Sequence, residues 1–283
     1  MRKRVGCQRG PREIHRLASR LTLLLALLLV LTACVPVLIE SSASGCEARG
    51  LNYQPYRPLM AQVCKLAPIY VTGSRAVPAE AITNVAVMAQ AMLQNDAVAR
   101  RLRTNGAVIA VFAPPSENLC DLPYFSDLHG RLQFDGRVLC NEAGLAGGQG
   151  RAIATCSALN AVSAPSDRFR RGQWSGQNIC VHEIAHLVMN HGLTTQQHQE
   201  VVKRFEEVKA SRNLWRRSDG TPTWALTNAH EFFAEASQVY FWANTWVETL
   251  NTSGLNGPWE LRDHDPKTFK LLERIYISPV DLR

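Results

Sequence analysis

Two histidines four residues apart, His182 and His186, enclose a glutamate, Glu183. In an α-helix, residues i and i+4 lie one turn apart on the same face, so both imidazoles can reach one metal ion. Glu183 is turned by about 100° from His182, which places its carboxylate beside the metal. There it can take a proton from zinc-bound water, whose pKa the metal lowers to near neutrality. The spacing therefore predicts a site for one Zn²⁺ per chain that can activate water for hydrolysis.

A catalytic zinc ion needs a third protein ligand and keeps its fourth position for water. A third histidine further along the same helix is excluded, because Gly192 occupies the position where that ligand would fall and His191 is out of register. His198 and His230 are suitable by residue type, but their spacing supports neither of them.

A pair of glutamates, Glu231 and Glu235, is a better source of the third ligand. They are one helical turn apart and share a face, with Gln238 near the same side. One carboxylate can then bind zinc while the other orients a ligand histidine from behind. A structural alternative stays open, because Asn228 followed three residues later by Glu231 also fits a capping box at a helix start.

The segments around these residues predict the elements that must hold them. Apolar residues flank the two histidines, which favours a buried helix for this part of the chain. The predicted helices cover residues 78–103, 177–191, 195–211, 228–250 and 261–276, and the predicted strands cover 69–72 and 107–112. The stretch 114–178 contains a cluster of glycines without a phosphate-binding pattern and is predicted to be mostly loop.

The N-terminus predicts export. A basic segment precedes an apolar run from Leu21 to Leu31, as in a signal peptide. The run ends in a sequence that resembles the bacterial lipobox, in which Cys34 carries the lipid and becomes the mature N-terminus. We therefore expect a lipoprotein anchored in the membrane and facing the extracytoplasmic side. An uncleaved anchor and a plain cleaved signal with secretion are the alternatives.

Cysteine number agrees with export. Without Cys7 in the signal and Cys34 at the lipid, six cysteines remain, an even number for a compartment that permits disulfides. The simplest scheme pairs them in sequence order: Cys46 with Cys64, Cys120 with Cys140, and Cys156 with Cys180. No two of them have the CxxC spacing of a cysteine-built zinc site.

The charge distribution gives no sign of a nucleic-acid partner. The formal net charge is +7, but residues 1–33 hold seven of the basic groups and one acidic group. The rest of the chain is therefore close to neutral, and the basic balance belongs to the signal.

The two histidine- and glutamate-bearing segments resemble those of the gluzincin metalloproteases. More closely, they are similar to the catalytic domain of anthrax lethal factor and to related uncharacterised secreted zincins. The resemblance rests on residues 178–186 and 227–235, with weaker likeness at 121–123, 134–137 and 265–266, and covers roughly residues 66–280.

This resemblance implies a zincin-like α+β fold, in which a small mixed sheet packs over the HExxH helix and a second helix carries a glutamate. By position, it implies that His182, His186 and Glu231 are the zinc ligands. It further implies that Glu183 is the general base and that Glu235 orients a ligand from behind.

One position departs from the family pattern. Relatives carry a tyrosine, suited to stabilising the oxyanion, about two turns before the ligand glutamate, and this chain has Trp224 there. An indole N–H can donate a hydrogen bond to an oxyanion but cannot supply a proton. Tyr240 and His264 are further candidates for that role.

Together these features favour a zinc metalloendopeptidase that hydrolyses a peptide or protein substrate. The expected organisation is a signal peptide at 1–33, a tether and N-terminal segment at 34–65, and a zincin-like domain at 66–283. Two alternatives have the same zinc ligands: a catalytically weak zincin that serves as a surface binding module, and a zinc amidase acting on non-protein amides.

Overall fold

A mixed β-sheet of six strands forms the framework of the described part of the chain. The computed structural model describes residues 67–133, 136–162, 176–244, 255, 257–280 and 282, together with two short strands further toward the N-terminus. Within these residues the strands are β1 (Cys46–Glu47), β2 (Gln62–Cys64), β3 (Tyr70–Gly73), β4 (Val108–Phe112), β5 (Gly144–Ala146) and β6 (Ile153–Ser157). They form one sheet in the order β1-β2-β3-β4-β6-β5. The three central strands β3, β4 and β6 are parallel, and β1, β2 and β5 run antiparallel to their neighbours.

The helices follow or precede these strands along the chain. They are α1 (Ala79–Met92), α2 (Asp96–Thr104), α3 (Ala158–Ala161), α4 (Ile179–Leu187), α5 (Thr195–Ala210), α6 (Ala229–Tyr240), α7 (Pro258–His264) and α8 (Pro266–Tyr276). A π-helical turn, Val188–Gly192, extends α4. Sheet and helices together confirm the predicted α+β class with a small mixed sheet.

The central strands are covered on both faces. Every residue of β4 and β6 is buried, as expected for parallel strands between two layers. In β4, Ile109 and Val111 belong to the main core that the helices share. The alternate residues Ala110 and Phe112 instead pack against a smaller cluster that contains Leu119. The sheet therefore has a helical layer on one face and a loop-built layer on the other.

The strand–helix–strand unit of the first half is confirmed in outline, with one error. The predicted single helix over 78–103 is wrong, because the chain leaves the helix after Met92 and starts again at Asp96. Asn95 explains the restart, since its side chain accepts a hydrogen bond from Ala97 N at 3.1 Å and caps α2.

The prediction of loop for 114–178 is also wrong in part. This stretch contains β6, which pairs with β4 at the centre of the sheet, and β5 at its edge. Near the C-terminus, the single helix expected over 261–276 is two helices that meet at Asp265, where Pro266 begins α8. The helix predicted over 228–250 ends at Tyr240.

Two of the three predicted disulfides are confirmed. Cys120 is bonded to Cys140, and Cys156 is bonded to Cys180. The first closes the loop-built layer, while the second joins β6 to α4, the helix that carries both histidines. For the third predicted pair, β1 and β2 place Cys46 opposite Cys64 as strand partners, but the side chains of this pair lie outside the described residues.

We expect removal of either disulfide to destabilise the protein by about 3 kcal/mol, since both close loops of similar length and constrain the unfolded chain similarly. The two losses should differ in their effect on metal binding. Replacing Cys156 and Cys180 by alanine removes the covalent link between α4 and β6, leaving only their packing, and should weaken zinc binding. Replacing Cys120 and Cys140 leaves α4 attached and should not. Denaturant unfolding of zinc-free protein and zinc titration of both double variants test this, and equal zinc affinities would contradict it.

The expected signal, the Cys34 lipidation site and most of the N-terminal segment lie outside the described residues. In the part of the chain that is described, no helix has the length and apolar character needed to cross a bilayer.

Candidate metal centre

Helix α4 is held rigidly inside the protein. Its side chains are all buried, because apolar residues surround the two histidines in the sequence. Asn178 begins the helix by accepting a hydrogen bond from Val181 N at 3.2 Å. The disulfide at Cys180 then fixes its first turn to the sheet. His182 and His186 therefore project from a helix with little freedom to move.

Three donor atoms from two helices lie within 3.6 Å of one another. His186 Nε2 lies 3.0 Å from His182 Nε2. Glu231 Oε2, from the first turn of α6, lies 3.1 Å from His182 Nε2 and 3.6 Å from His186 Nε2. Ligands at the usual 2.0–2.1 Å from zinc, in a tetrahedron, are separated from one another by about 3.3 Å. The three atoms thus have the mutual spacing of one face of a zinc tetrahedron.

The charges of this cluster are strongly coupled. Burial lowers the pKa of His182, but the hydrogen bond to Glu231 and the carboxylate of Glu235 raise it by more, so it ends well above its ordinary value. Burial raises the pKa of Glu231, but its hydrogen bonds to His182 and His186 lower this pKa by more and hold it well below its ordinary value. Without metal, the cluster therefore holds a proton in the place where a cation would bind.

This coupling predicts that zinc binding strengthens as the pH rises. The raised pKa means that His182 stays protonated to a higher pH than a free histidine, and zinc must displace that proton. Affinity should climb with pH up to the His182 pKa, where about one proton is released per zinc bound, and level off above it, where His182 has no proton to release. Calorimetric titration of zinc-free protein in buffers with different ionisation heats measures this release. Affinity that does not change with pH would contradict the arrangement.

The second nitrogen of His182 is also anchored. Its Nδ1 lies 3.1 Å from Gln238 Oε1 and 3.3 Å from Glu235 Oε1, both on α6. Gln238 is oriented in turn by donating to the backbone carbonyl of Asn178 at 2.9 Å. The acceptor Gln238 Oε1 at Nδ1 requires a hydrogen there, so once the second proton of the ring is displaced, Nε2 has its lone pair for a metal. The structure brings Glu235, the residue predicted to orient a ligand from behind, to the His182 ring, and it also places Gln238 there.

Glu183 faces the cleft beside the histidines. Burial raises the pKa of Glu183 by more than the charges of His186 and His182 lower it. It is also close to the backbone of β5, since a Cβ added to Gly144 would lie 2.7 Å from Glu183 Cγ and 2.7 Å from Thr155 O. The strand can approach the Glu183 side chain this closely only because residue 144 is glycine.

Trp224 lies beside the same cluster, and its indole N–H points to one of the donor residues. Its indole Nε1 donates a hydrogen bond to Glu231 Oε2 at 2.7 Å. That oxygen is the one that faces both histidines. The structure therefore couples Trp224 to the glutamate that faces the histidines.

A cleft of about 630 Å³ opens beside these groups. Residues from four parts of the chain line it: the segment 133–149, which includes β5; α4 with its flanking residues; Trp224; and the start of α6. Arg137 and Glu142 form an ion pair at 2.9 Å in its wall, a pair that no sequence pattern indicated.

The other residues considered from the sequence are distributed differently. His230 lines the cleft, and burial lowers its pKa, as do the nearby histidines His186 and His198. Tyr240 is buried among aromatic rings that include Phe241 and Tyr276. His264 packs on Trp215. Neither Tyr240 nor His264 is among the described residues that line the cleft.

A second cluster of side chains that could bind a metal contains two cysteines that are bonded to each other. Cys120, His129 and Cys140 lie close together, but the two sulfurs form a disulfide. Sulfur in a disulfide is not the thiolate that binds metal. Among the described residues, the group on α4 and α6 is therefore the one suited to a cation.

Comparison with known proteins gives little further guidance. No protein-family model matches the chain, and no curated protein is significantly similar to it. Among solved structures, the Pro-Pro endopeptidase PPEP-2 from Paenibacillus alvei aligns over 69% of this chain and 90% of that chain, with 15% sequence identity and a TM-score of 0.36. A likeness at this level assigns the chain to no family, so its function must be argued from the site.

Proposed function

We propose that this protein is a zinc-dependent metallopeptidase of the gluzincin type, with the ligand arrangement that the resemblance of its sequence to the lethal factor domain implies. The observation that carries the proposal is the convergence of His182, His186 and Glu231 at separations of 3.0–3.6 Å. Three nitrogen and oxygen donors with one open side fit a catalytic zinc site better than a structural one, which is closed by four protein ligands.

The chemistry follows from the groups around that site. Zinc, when bound there, would polarise a substrate carbonyl and lower the pKa of a water molecule. Glu183 takes the proton of the attacking water and passes it to the leaving amine. Its buried position suits this role, because a carboxylate with a raised pKa holds the proton more readily between the two steps.

The shape of the cleft favours a peptide as the substrate. Strand β5 forms one wall and lies at the edge of the sheet. An edge strand offers backbone N–H and C=O groups to an extended chain, which can add to the sheet as a further strand. Glycine and alanine predominate in this wall (Ala143, Gly144, Ala146 and Gly148). It can therefore interact with the main chain of a substrate without requiring particular side chains.

Trp224 has a supporting role in this proposal. By donating to Glu231, it holds the carboxylate toward the two histidines, as an outer hydrogen-bond partner does for a metal ligand. Among the described residues that line the cleft there is no tyrosine, the residue type that the resemblance to the gluzincins implies as the oxyanion donor. This observation favours the second candidate function, a catalytically weak zincin that binds partners in the cleft.

The test of the proposal is zinc content of the purified protein together with hydrolysis of a broad peptide library. One zinc per chain with cleavage of peptides is the expected result. One zinc without cleavage would favour the binding module or an amidase, and hydrolysis of non-peptide amides would separate these two. Absence of zinc binding would overturn the proposal.

We further propose that the protein is exported and anchored by lipid at Cys34. Two disulfides among the described residues suit an oxidising compartment. Replacing Cys34 by serine should release the protein from the membrane fraction or block its processing. Unchanged membrane association of this variant, measured by fractionation, would point instead to an uncleaved anchor.

A further inference from the structure

The wall of the cleft that contains β5 is held to the sheet by few backbone hydrogen bonds. β5 pairs with β6 through only three residues and is the last of the described strands at that edge of the sheet. Its turn is closed by Gly147 N to Ile153 O at 2.8 Å and by Arg151 N to Gly148 O at 2.9 Å. A strand this short at a sheet edge is marginal without further support. Residues 143–149 nevertheless supply most of this wall, so its position matters for any bound chain.

Two side chains from the π-helical turn hold the tip of this hairpin. His191 Nε2 lies 3.2 Å from Gly148 O and 3.2 Å from Arg151 O. Asn190 Nδ2 donates to Gly147 O at 3.2 Å. Because carbonyl oxygens only accept hydrogen bonds, His191 Nε2 must carry its hydrogen and share it between two carbonyls. Three carbonyls of one turn are thus bound by two neighbouring residues.

The π-helical turn is itself fixed from the other side. Asn105 Nδ2 donates to His191 O at 3.0 Å, and Arg101 Nε donates to Gly192 O at 2.5 Å. Gly192 lies so close to α2 that an added Cβ would come within 2.9 Å of Val98. Turns of this type are rare and often occur at functional sites. Here it directs Asn190 and His191 to the hairpin while the helix before it carries both histidines of the metal cluster.

We propose that His191, assisted by Asn190, is a positioning residue that sets the distance between the β5 wall and the zinc site. This inference rests on the proposed peptidase function. One continuous element, α4 with its π-helical turn, carries two of the three proposed metal ligands, His182 and His186, and ends in the residues that contact the hairpin. A substrate chain lying along β5 is thereby aligned with the metal through a single rigid support. Displacement of this support should weaken binding of the substrate chain along β5 more than it slows the chemical step, because α4 still positions His182, Glu183 and His186.

The test compares His191→Leu, which removes the N–H but keeps the bulk, with His191→Gln, which keeps an N–H at similar reach. We expect backbone amides of residues 147–151 to exchange hydrogen about tenfold faster in the leucine variant, because hydrogen bonds at the turn are lost. With a fluorogenic peptide that the wild type cleaves, KM should rise about tenfold while kcat and zinc content stay unchanged. His191→Gln should restore both exchange and KM.

Val201→Ala provides the control for general destabilisation, because Val201 is buried on α5 and does not line the cleft. It should lower stability without changing KM. Unchanged exchange and unchanged KM in His191→Leu would overturn the proposal, as would an equal rise in KM in Val201→Ala. If no variant and not even the wild type cleaves peptides, the proposed function fails, and the exchange experiment alone decides whether His191 positions the wall.

Discussion

Replacing Glu183 by glutamine should reduce peptide hydrolysis by about 10²–10⁴-fold, the range expected when a general base is lost. Glutamine has nearly the same shape and still occupies the buried position beside the cleft, but it cannot take a proton from water. Zinc content should remain at the wild-type level, because the three converging donor atoms belong to His182, His186 and Glu231. The measurement is kcat/KM on a cleaved peptide, with zinc determined on the same sample.

Glu142→Gln is the matched control for this change. Glu142 is another carboxylate in the cleft wall, where it is paired with Arg137 at 2.9 Å, and its charge contributes to the raised pKa of Glu183. We expect its hydrolysis rate to stay within about tenfold of the wild type, since this substitution leaves the general base in place. Activity retained in Glu183→Gln, or lost equally in both variants, would exclude Glu183 as the base.

Replacing Glu231 by alanine should have the largest effect on zinc binding. It removes the third donor atom and also leaves the Trp224 N–H without the acceptor that it has at 2.7 Å. Changes at the outer partners should be smaller, about 10–100-fold in zinc affinity for Glu235→Ala and for Trp224→Phe. The expected order of zinc affinity is therefore wild type, then these two variants, then Glu231→Ala. Competition with a chelator of known affinity measures all four proteins.

His230→Ala is a useful control, because this residue precedes Glu231 and lines the same cleft but is not one of the converging donors. Its zinc affinity should remain near that of the wild type. Full zinc occupancy in Glu231→Ala would remove this glutamate from the ligand set. A loss in Trp224→Phe as large as in Glu231→Ala would mean that the indole is more than an outer partner.

The local elements of this protein could be predicted well where one periodic pattern extends over a whole segment. The apolar residues around His182 and His186 predicted a buried helix, and α4 lies there with all of its residues buried. The spacing of two histidines on one face is a property of the helix alone. Prediction was equally direct for β4, which is a short apolar run bounded by turn residues.

Prediction failed where short elements depend on their neighbours. β5 has three residues, one of them glycine, and no pattern in such a segment distinguishes a strand from a loop. β6 reads Ile153-Ala-Thr-Cys-Ser157, and its β-branched residues were a signal that could have been used. The break between α1 and α2 was missed because both segments share apolar spacing, and only the cap at Asn95 separates them.

The sequence by itself therefore determined the pair of histidines, the glutamate between them, and an order of cysteines that proved right for two disulfides. Only the tertiary structure decided that Glu231, 45 or more residues away along the chain, comes within 3.1 Å of His182. It likewise placed Gln238 against the same ring and His191 against the hairpin. These contacts join segments that are distant in sequence, and they depend on how helices and sheet pack rather than on the period of any one element.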